Sequence, residues 1–188
     1  ADVRYRAGWI TPQAADSMLA ALQSEVSFEQ HRVRMFGREL PAPRLSAWIG
    51  DVDAIYTYSR VRYVPGPWTP TLAAIRDRLD AELGVRFNSV LVNRYRSGAD
   101  SMGWHADDEP ELGPEPLIAS VSLGATRRLR FRACAAGGVK ASIELESGSL
   151  LLMAGDTQEL YQHAIDKSKA ALAERINLTF RVIGAKRP

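Results

Sequence analysis

The chain has 188 residues, of which 46% are hydrophobic and 24% are charged, and its formal net charge is +2 at pH 7. This length suits one domain with a buried core, and the composition excludes a fibrous or low-complexity chain. The longest apolar run, residues 150–154, is too short to span a membrane. The small net charge does not by itself indicate a nucleic-acid-binding protein.

The types of polar residue are more informative than the net charge. Lysine occurs at only four positions, so arginine makes up most of the 24 basic residues. The planar guanidinium suits phosphate and carboxylate recognition, although a GC-rich coding sequence produces the same bias. Cys134 is the only cysteine, and residues 1–6 lack the apolar core of a signal peptide. We expect a monomer without membrane association, cytoplasmic and active at the nucleoid in a bacterium or nuclear in a eukaryote.

Two helices are predicted in the first half of the chain, each with a threonine cap followed by proline. The first begins at Thr11 and runs to about Glu25, and the second begins at Thr69 and ends at Gly84. Their apolar stripes are Met18, Leu19 and Leu22 in the first helix, and Leu72, Ile75, Leu79 and Leu83 in the second. Residues 26–64 have the pattern of short strands and turns.

From Val85 onward the pattern is typical of strands. The predicted strands are 87–95, 117–123, 128–132, 141–145, 149–153 and 175–183. Two helices followed by many short strands favour a mainly β fold with flanking helices, of the α+β class. A double-stranded β-helix core, the jelly-roll or cupin type, fits this order, and so does another sandwich.

The three histidines of the chain are His31, His105 and His163. On an extended strand, His105 and Asp107 point to the same face because they are two residues apart. A second histidine from a later strand would complete a set of two histidines and one carboxylate, which suits non-haem Fe(II) and leaves three positions open. His163 follows an apolar strand, whereas His31 precedes the predicted core, so we favour His163.

The last predicted strand alternates between polar and apolar residues. Its polar face consists of Arg175, Asn177, Thr179 and Arg181. One interpretation is an edge strand with a solvated face; the other is a clamp in which two guanidiniums bind a dicarboxylate. Asn93 and Tyr95 share a face of an earlier strand and can line the same cavity, or simply end a strand.

Several stretches together resemble the AlkB family of Fe(II)- and 2-oxoglutarate-dependent dioxygenases, and are most similar to its DNA-repair type. The matching stretches are 88–95, 103–109, 118–125, 148–151, 161–163 and 175–181. The closing Arg-x-Asn-Leu-Thr-Phe-Arg motif is the most specific of them. The resemblance implies one dioxygenase domain over residues 1–188, with helices and a nucleotide-recognition lid in 1–84 and a jelly-roll catalytic core in 85–188.

The resemblance also implies the cofactors and their ligands. It implies that Fe(II) and the catalytic centre lie at His105, Asp107 and His163. It implies that the 2-oxoglutarate cosubstrate, used together with O2, is bound by Asn93, Tyr95, Arg175, Asn177 and Arg181.

Further positions match the family's substrate contacts. Glu109 matches the acidic residue that contacts the exocyclic amine of a damaged base. The lid over the base would be formed by Tyr56, Tyr58 and Ser59, although a hairpin with cross-strand aromatic pairs is an alternative. A finger inserted into the duplex would contain Met35, Phe36 and Gly37, with Arg44 near phosphates. The alternative for the finger is a hairpin whose apolar side chains pack into the core.

The function implied is oxidative demethylation of N-alkylated bases, such as 1-methyladenine and 3-methylcytosine, in single- or double-stranded DNA, with RNA as a further candidate substrate. The reaction is coupled to decarboxylation of 2-oxoglutarate to succinate and CO2, and it releases formaldehyde. Three alternatives stay open: an oxygenase for RNA or a non-nucleic-acid substrate, a non-catalytic nucleic-acid-binding module, and a zinc hydrolase. In a zinc hydrolase the paired arginines have no evident role.

Overall fold

The computed structural model describes residues 1–35, 38–58, 61–136, 138 and 140–184. Two antiparallel sheets face each other, and helices cover the outer face of the larger sheet. The helices are α1 (Pro12–Glu25), α2 (Pro70–Leu83) and the short α3 (Thr157–Leu160), and a 3-10 turn spans Pro110–Leu112. Among the described residues, no helix has the length and apolar content needed to cross a bilayer.

The larger sheet has six strands. In spatial order they are β1 (Asp2–Arg6), β12 (Ser149–Ala154), β9 (Ile118–Gly124), β14 (Arg175–Arg181), β7 (Ser89–Tyr95) and β4 (Leu45–Gly50). β14 pairs with β7 on one side and with β9 on the other, and all seven of its residues are buried. The interpretation of this strand as a solvated sheet edge is therefore wrong.

The smaller sheet has four strands. In spatial order they are β11 (Lys140–Leu145), β10 (Arg127–Ala133), β13 (Tyr161–Ile165) and β8 (Met102–His105). Along β10, Arg127, Leu129 and Phe131 are buried, whereas the residues between them are exposed. This sheet thus packs one face against the larger sheet and leaves the other face open to solvent.

Two hairpins extend from residues before 85. One joins β2 (Arg32–Met35) to β3 (Arg38–Pro41), and the other joins β5 (Tyr56–Tyr58) to β6 (Val61–Tyr63). Phe36, Gly37 and Ser59 lie outside the described residues. Met35, Tyr56 and Tyr58 are placed by their backbone in these strands, and their roles at a substrate stay predictions.

The predicted helix starts are confirmed. Oγ1 of Thr11 accepts a hydrogen bond from the N–H of Ala14, and Oγ1 of Thr69 accepts one from the N–H of Leu72. Gly84 ends α2 in the left-handed conformation with a φ of +65°, which favours glycine.

One hydrophobic cluster joins the helices to the larger sheet. It contains Leu22 of α1, the buried face of α2, and the apolar residues of β14, which are Ile176, Leu178 and Phe180. Because side chains alternate along a strand, the polar residues of β14 point the opposite way, toward the smaller sheet. Helix packing on one face therefore sets the direction of the polar residues on the other.

Candidate metal centre

Two histidines and one aspartate lie together between the sheets. One ligand atom from each of His105, Asp107 and His163 lies within 4.8 Å of the other two. His105 of β8 is directly opposite His163 of β13, and their ring centroids are 4.2 Å apart. Nε2 of His163 lies 3.8 Å from Oδ2 of Asp107. Two imidazoles and one carboxylate at this spacing suit Fe(II) with open coordination positions. This cluster does not include His31.

The ring of His105 is oriented by its own strand. Nδ1 of His105 lies 2.9 Å from the carbonyl oxygen of Gly103. Because a carbonyl oxygen only accepts, this contact requires a hydrogen on Nδ1, which leaves Nε2 as the nitrogen available to a metal.

Asp107 lies two residues beyond the end of β8, so the prediction that it shares a strand with His105 is wrong. Its backbone N–H donates to Oε1 of Gln158 in α3 at 2.9 Å. A side chain from another element thus holds this aspartate near the two histidines.

The carboxyl group of Asp107 is ionised despite its burial. Burial alone would raise its pKa, but the positive charge of Arg181, together with His163 and His105 when they are protonated at low pH, outweighs this effect and lowers the pKa to about 2. Nη2 of Arg181 donates to Oδ1 at 2.5 Å. With Oδ1 occupied in this way, Oδ2 is the oxygen that faces His163.

The imidazole of His163 is neutral at pH 7. Burial lowers its pKa most, the charges of His105 and Arg181 lower it further, and Asp107 opposes them, so that the pKa is about 4. A neutral imidazole is the form that binds a metal ion.

A small cavity of about 40 Å³ beside this cluster separates the two sheets. Its polar lining consists of Asn93, Tyr95, His105, Asp107, Ser120, His163, Asn177, Thr179 and Arg181. Its apolar lining consists of Met102, Leu129, Leu145, Leu151, Met153 and Ile165. Four of the five residues predicted to bind 2-oxoglutarate thus share a cavity with the three candidate metal ligands.

Arg175, the fifth of these residues, is not among the described residues that line the cavity. It is fully buried, its guanidinium lies 5.1 Å from the ring centre of Tyr95, and Nη2 donates to Oγ of Ser122 at 2.9 Å. Its Nε and Nη1 have no hydrogen-bond partner among the described residues. Burial lowers its pKa to about 10, which leaves it charged at pH 7. A buried guanidinium with unused donors suits a carboxylate ligand.

Tyr95 also contacts a second arginine, Arg127, whose guanidinium lies 5.5 Å from the ring centre. Nη1 and Nη2 of this arginine donate to the backbone carbonyl oxygens of Ser97, Asp100 and Asp166. Arg127 is not among the residues predicted from the sequence to lie at the site. Alternation along β10 was a usable signal, because it places this arginine on the same face as Leu129 and Phe131.

The two asparagines of the cavity are held by neighbouring side chains. Nδ2 of Asn177 donates to Oγ of Ser120 at 2.8 Å, and Oγ1 of Thr179 donates to Oδ1 of Asn177 at 3.3 Å. Nε of Arg44 donates to Oδ1 of Asn93 at 3.1 Å. Arg44, predicted to lie near phosphates, therefore lies against a predicted cosubstrate residue.

Glu109 lies at the start of the 3-10 turn that follows Asp107, and it is partly buried. The described residues that line the cavity do not include it. Its contact with a base stays a prediction.

Residues 2–181 match the family model described as the 2OG-Fe(II) oxygenase superfamily. The chain belongs to this superfamily. Its members need Fe(II), 2-oxoglutarate and O2, and the resemblance to the AlkB family and the predicted jelly-roll fold are confirmed.

Two similar relatives indicate the branch of the superfamily. Alpha-ketoglutarate-dependent dioxygenase alkB homolog 3 of Rattus norvegicus is 40% identical over 188 residues, covering 94% of this chain and 62% of the relative. DNA oxidative demethylase ALKBH2 of Homo sapiens is 41% identical over 179 residues, covering 90% of this chain and 69% of the relative. The chain spans about three fifths of the length of the first of these relatives.

Two solved structures share the fold. OsALKBH1 has a TM-score of 0.68 at 18% identity and covers 96% of both chains. A prolyl-4-hydroxylase of Pseudomonas putida has a TM-score of 0.60 at 15% identity, covering 97% of this chain and 93% of that one. At these identities, the similarity supports the oxygenase fold alone.

Proposed function

We propose that this oxygenase removes methyl groups from the ring nitrogens of bases such as 1-methyladenine and 3-methylcytosine, with alkylated DNA as its main substrate. The observation that carries the proposal is one cavity shared by the three candidate metal ligands and four of the five candidate 2-oxoglutarate-binding residues. The similarity to a protein named DNA oxidative demethylase supports nucleic acid as the substrate class.

The described residues of the site have separate roles in the reaction. Bound Fe(II) supplies the oxygen chemistry: one oxygen atom of O2 enters succinate as 2-oxoglutarate loses CO2, and the other enters the N-methyl group. The resulting N-hydroxymethyl group loses formaldehyde and leaves the unmodified base. His105, Asp107 and His163 hold the metal, and Arg175 and Arg181 bind the two carboxylates of the cosubstrate.

The base has to leave its stack to reach a cavity enclosed between two sheets. A lesion that blocks pairing lowers the cost of this extrusion, which favours methylated over unmodified bases. In this proposal Glu109 contacts the exocyclic amine, and Arg44 lies near the strand. The other predicted contacts with the nucleic acid are unchanged in this proposal, and they are those of Met35, Phe36, Gly37, Tyr56, Tyr58 and Ser59.

The test is to load the protein with Fe(II) and 2-oxoglutarate without oxygen, and then to add O2 and a methylated oligonucleotide. Succinate and formaldehyde are measured together, on single-stranded DNA, duplex DNA and RNA. Equal amounts of both products are expected with methylated DNA. Succinate without formaldehyde on every substrate would keep the oxygenase but contradict the demethylase, and a higher rate on RNA would reverse the order of substrates.

We also propose that the protein is a monomer and that it is located in the reducing cytoplasm or nucleus. Cys134 is an exposed free thiol, which is compatible with such a compartment. Size-exclusion chromatography with light scattering tests the oligomeric state, and fractionation of the source cells tests the location.

A further inference from the structure

The outer face of the smaller sheet carries a basic groove that the proposed reaction does not use. It has a volume of about 440 Å³. We call it the outer groove, and its main lining residues are Trp104, Arg128, Arg130, Arg132, Lys140 and Ser142. Three of them are the exposed residues of β10, on the side of that strand away from the cavity.

The two ends of the outer groove differ in charge. At one end, Arg128 pairs with Glu144. Arg130, in the middle, pairs with Asp166. At the other end, Arg132 lies directly opposite Lys140 in the β10–β11 ladder. None of the ion pairs between described residues includes Arg132 or Lys140.

Like charges directly opposite each other destabilise a sheet. The hydrogen bonds of Arg132 do not neutralise its charge, because Nε and Nη2 both donate to the neutral Oε1 of Gln162. This end of the outer groove therefore concentrates positive charge, and it attracts an anion.

An aromatic ring lies within the same groove. The guanidinium carbons of Arg130 and Arg132 lie 5.1 and 4.5 Å from the ring centre of Trp104. Surfaces that bind single-stranded nucleic acid combine a positively charged groove with aromatic rings and arginines on which bases stack. The outer groove has both parts, which favours a polyanion with planar bases over a simple anion.

The outer groove lies on the reverse side of the metal centre. Trp104 immediately precedes His105 in β8, which is an edge strand of the sheet. Phe131 lies between the two arginines in β10, and its ring is 6.0 Å from that of His163. Arg132 lies two strands in from this edge, and its guanidinium reaches Trp104 on the edge strand. A nucleic-acid strand that delivers a base around the edge would therefore bring its neighbouring phosphates to the outer groove.

We propose that the outer groove binds phosphates of the nucleic-acid strand whose modified base enters the cavity, with Arg132 and Lys140 as the principal phosphate contacts. The proposal rests on the proposed function for the class of ligand. It adds a second contact surface, outside the cavity, for that ligand.

The test measures fluorescence anisotropy of a labelled oligothymidine of about 20 nucleotides over a range of salt concentrations. Arg132→Gln combined with Lys140→Gln is expected to weaken binding about tenfold at low salt and to reduce the slope of log affinity against log salt by about 1.4, since each phosphate contact contributes about 0.7 for single strands. The double variant R132K/K140R keeps both charges and is expected to keep the affinity and the slope. Arg86→Gln, an exposed arginine outside the groove, is expected to leave both unchanged.

The proposal would be overturned if R132Q/K140Q left the slope of log affinity against log salt unchanged. It would also be overturned if Arg86→Gln lost as much affinity as R132Q/K140Q. Loss of affinity in R132K/K140R would also overturn it, because it would indicate a packing role in place of a charge. Thermal unfolding of each variant verifies that it folds. The formaldehyde assay on the unaltered protein is independent of these measurements, so the groove and the demethylase can fail separately.

Discussion

The two sheets that enclose the cavity are covered differently. In the six-stranded sheet all seven residues of β14 are buried, because helices cover one face and the cavity lies on the other. In the four-stranded sheet, β10 alternates between buried and exposed residues, because its outer face meets solvent.

This difference assigns separate tasks to the sheets. A guanidinium as buried as that of Arg175 is stabilised by a ligand of opposite charge, and this arginine lies on a strand of the covered sheet whose seven residues are all buried. The half-exposed sheet holds both histidines on its inner face and leaves its outer face available for a macromolecule. If Arg175 and Arg181 bind the cosubstrate as proposed, the covered sheet supplies buried charge for it, and the smaller sheet supplies the histidines while its outer face stays exposed.

The largest loss of turnover is expected when the metal ligand at the edge of the smaller sheet is replaced. His105→Ala removes one of three ligands, and turnover is expected to fall to background because the remaining two hold the metal poorly. Co(II) binding, followed by its visible absorption, reports the loss directly. His31→Ala is the matched control, since His31 lies outside the cluster, and it is expected to bind Co(II) normally. Normal Co(II) binding by the His105 variant would contradict the metal assignment.

The next largest effect is expected on the KM for 2-oxoglutarate when Arg175 of the six-stranded sheet is replaced. Arg175→Gln is expected to raise the KM for 2-oxoglutarate about 30-fold or more, because loss of one partner from a buried charge pair costs about 2 to 5 kcal/mol. The measurement is succinate formation over a range of 2-oxoglutarate concentrations. Arg94→Gln alters a neighbouring strand at an arginine paired with Glu174, and its KM is expected to stay unchanged. An unaltered KM in the Arg175 variant would remove this arginine from the cosubstrate site.

A smaller effect is expected from Arg127, which acts through Tyr95. Arg127→Gln removes hydrogen bonds to three carbonyl oxygens and the contact with the Tyr95 ring, so we expect the KM for 2-oxoglutarate to rise about tenfold, equivalent to about 1.4 kcal/mol, with a smaller change in kcat. Arg128→Gln, the neighbour on the outer face, is the control. Equal changes in KM and kcat, or an effect on stability alone, would indicate a purely structural role.

The smallest effect is expected on the free energy of unfolding. It comes from Asp100, in the segment between β7 and β8 that connects the two sheets. Hydrogen bonds from Arg96 outweigh burial and lower the pKa of Asp100 below its usual 3.8. Its stabilising contribution is therefore present above pH 3.8 and is lost as the pH falls through the lowered pKa. Asp100→Asn is expected to reduce the free energy of unfolding by about 1.5 to 3 kcal/mol near pH 7.

Urea unfolding near pH 7 and near pH 3 measures this difference. The difference in the free energy of unfolding between the Asp100 variant and the unaltered protein is expected to be smaller at the lower pH. Asp53→Asn, at an exposed position, serves as the control. A difference that stays constant with pH would show that the carboxylate charge does not contribute.

The predicted strands of the larger sheet agree with the structure within two residues for β7, β9, β12 and β14. Their apolar residues make continuous or alternating patterns, because both faces of the sheet are covered. The predicted strand ranges do not include β8 and β13, although the metal hypothesis placed His105 on an extended strand. They are short and contain glycine, histidine and glutamine, and pairing with each other and with β10 holds them in the sheet.

The candidate ligands were predictable because histidine is rare and the closing motif is specific. The residues that orient them were not. Gln158 holds Asp107 through a contact between distant parts of the chain, and Gly103 contributes only a backbone carbonyl. No local pattern marks a glutamine or a carbonyl oxygen for such a role, since the contact exists only after the sheets have formed.

Through the buried guanidinium of Arg175, the free energy of unfolding depends on the concentration of the dicarboxylate ligand. The unused donors of Arg175 are a cost of the folded state, and a ligand that binds the folded state alone lowers that cost by mass action. At a ligand concentration of about 100 times Kd, such binding adds about 2.7 kcal/mol to the free energy of unfolding. The lifetime of this protein in a cell would then rise and fall with the supply of the dicarboxylate that it consumes.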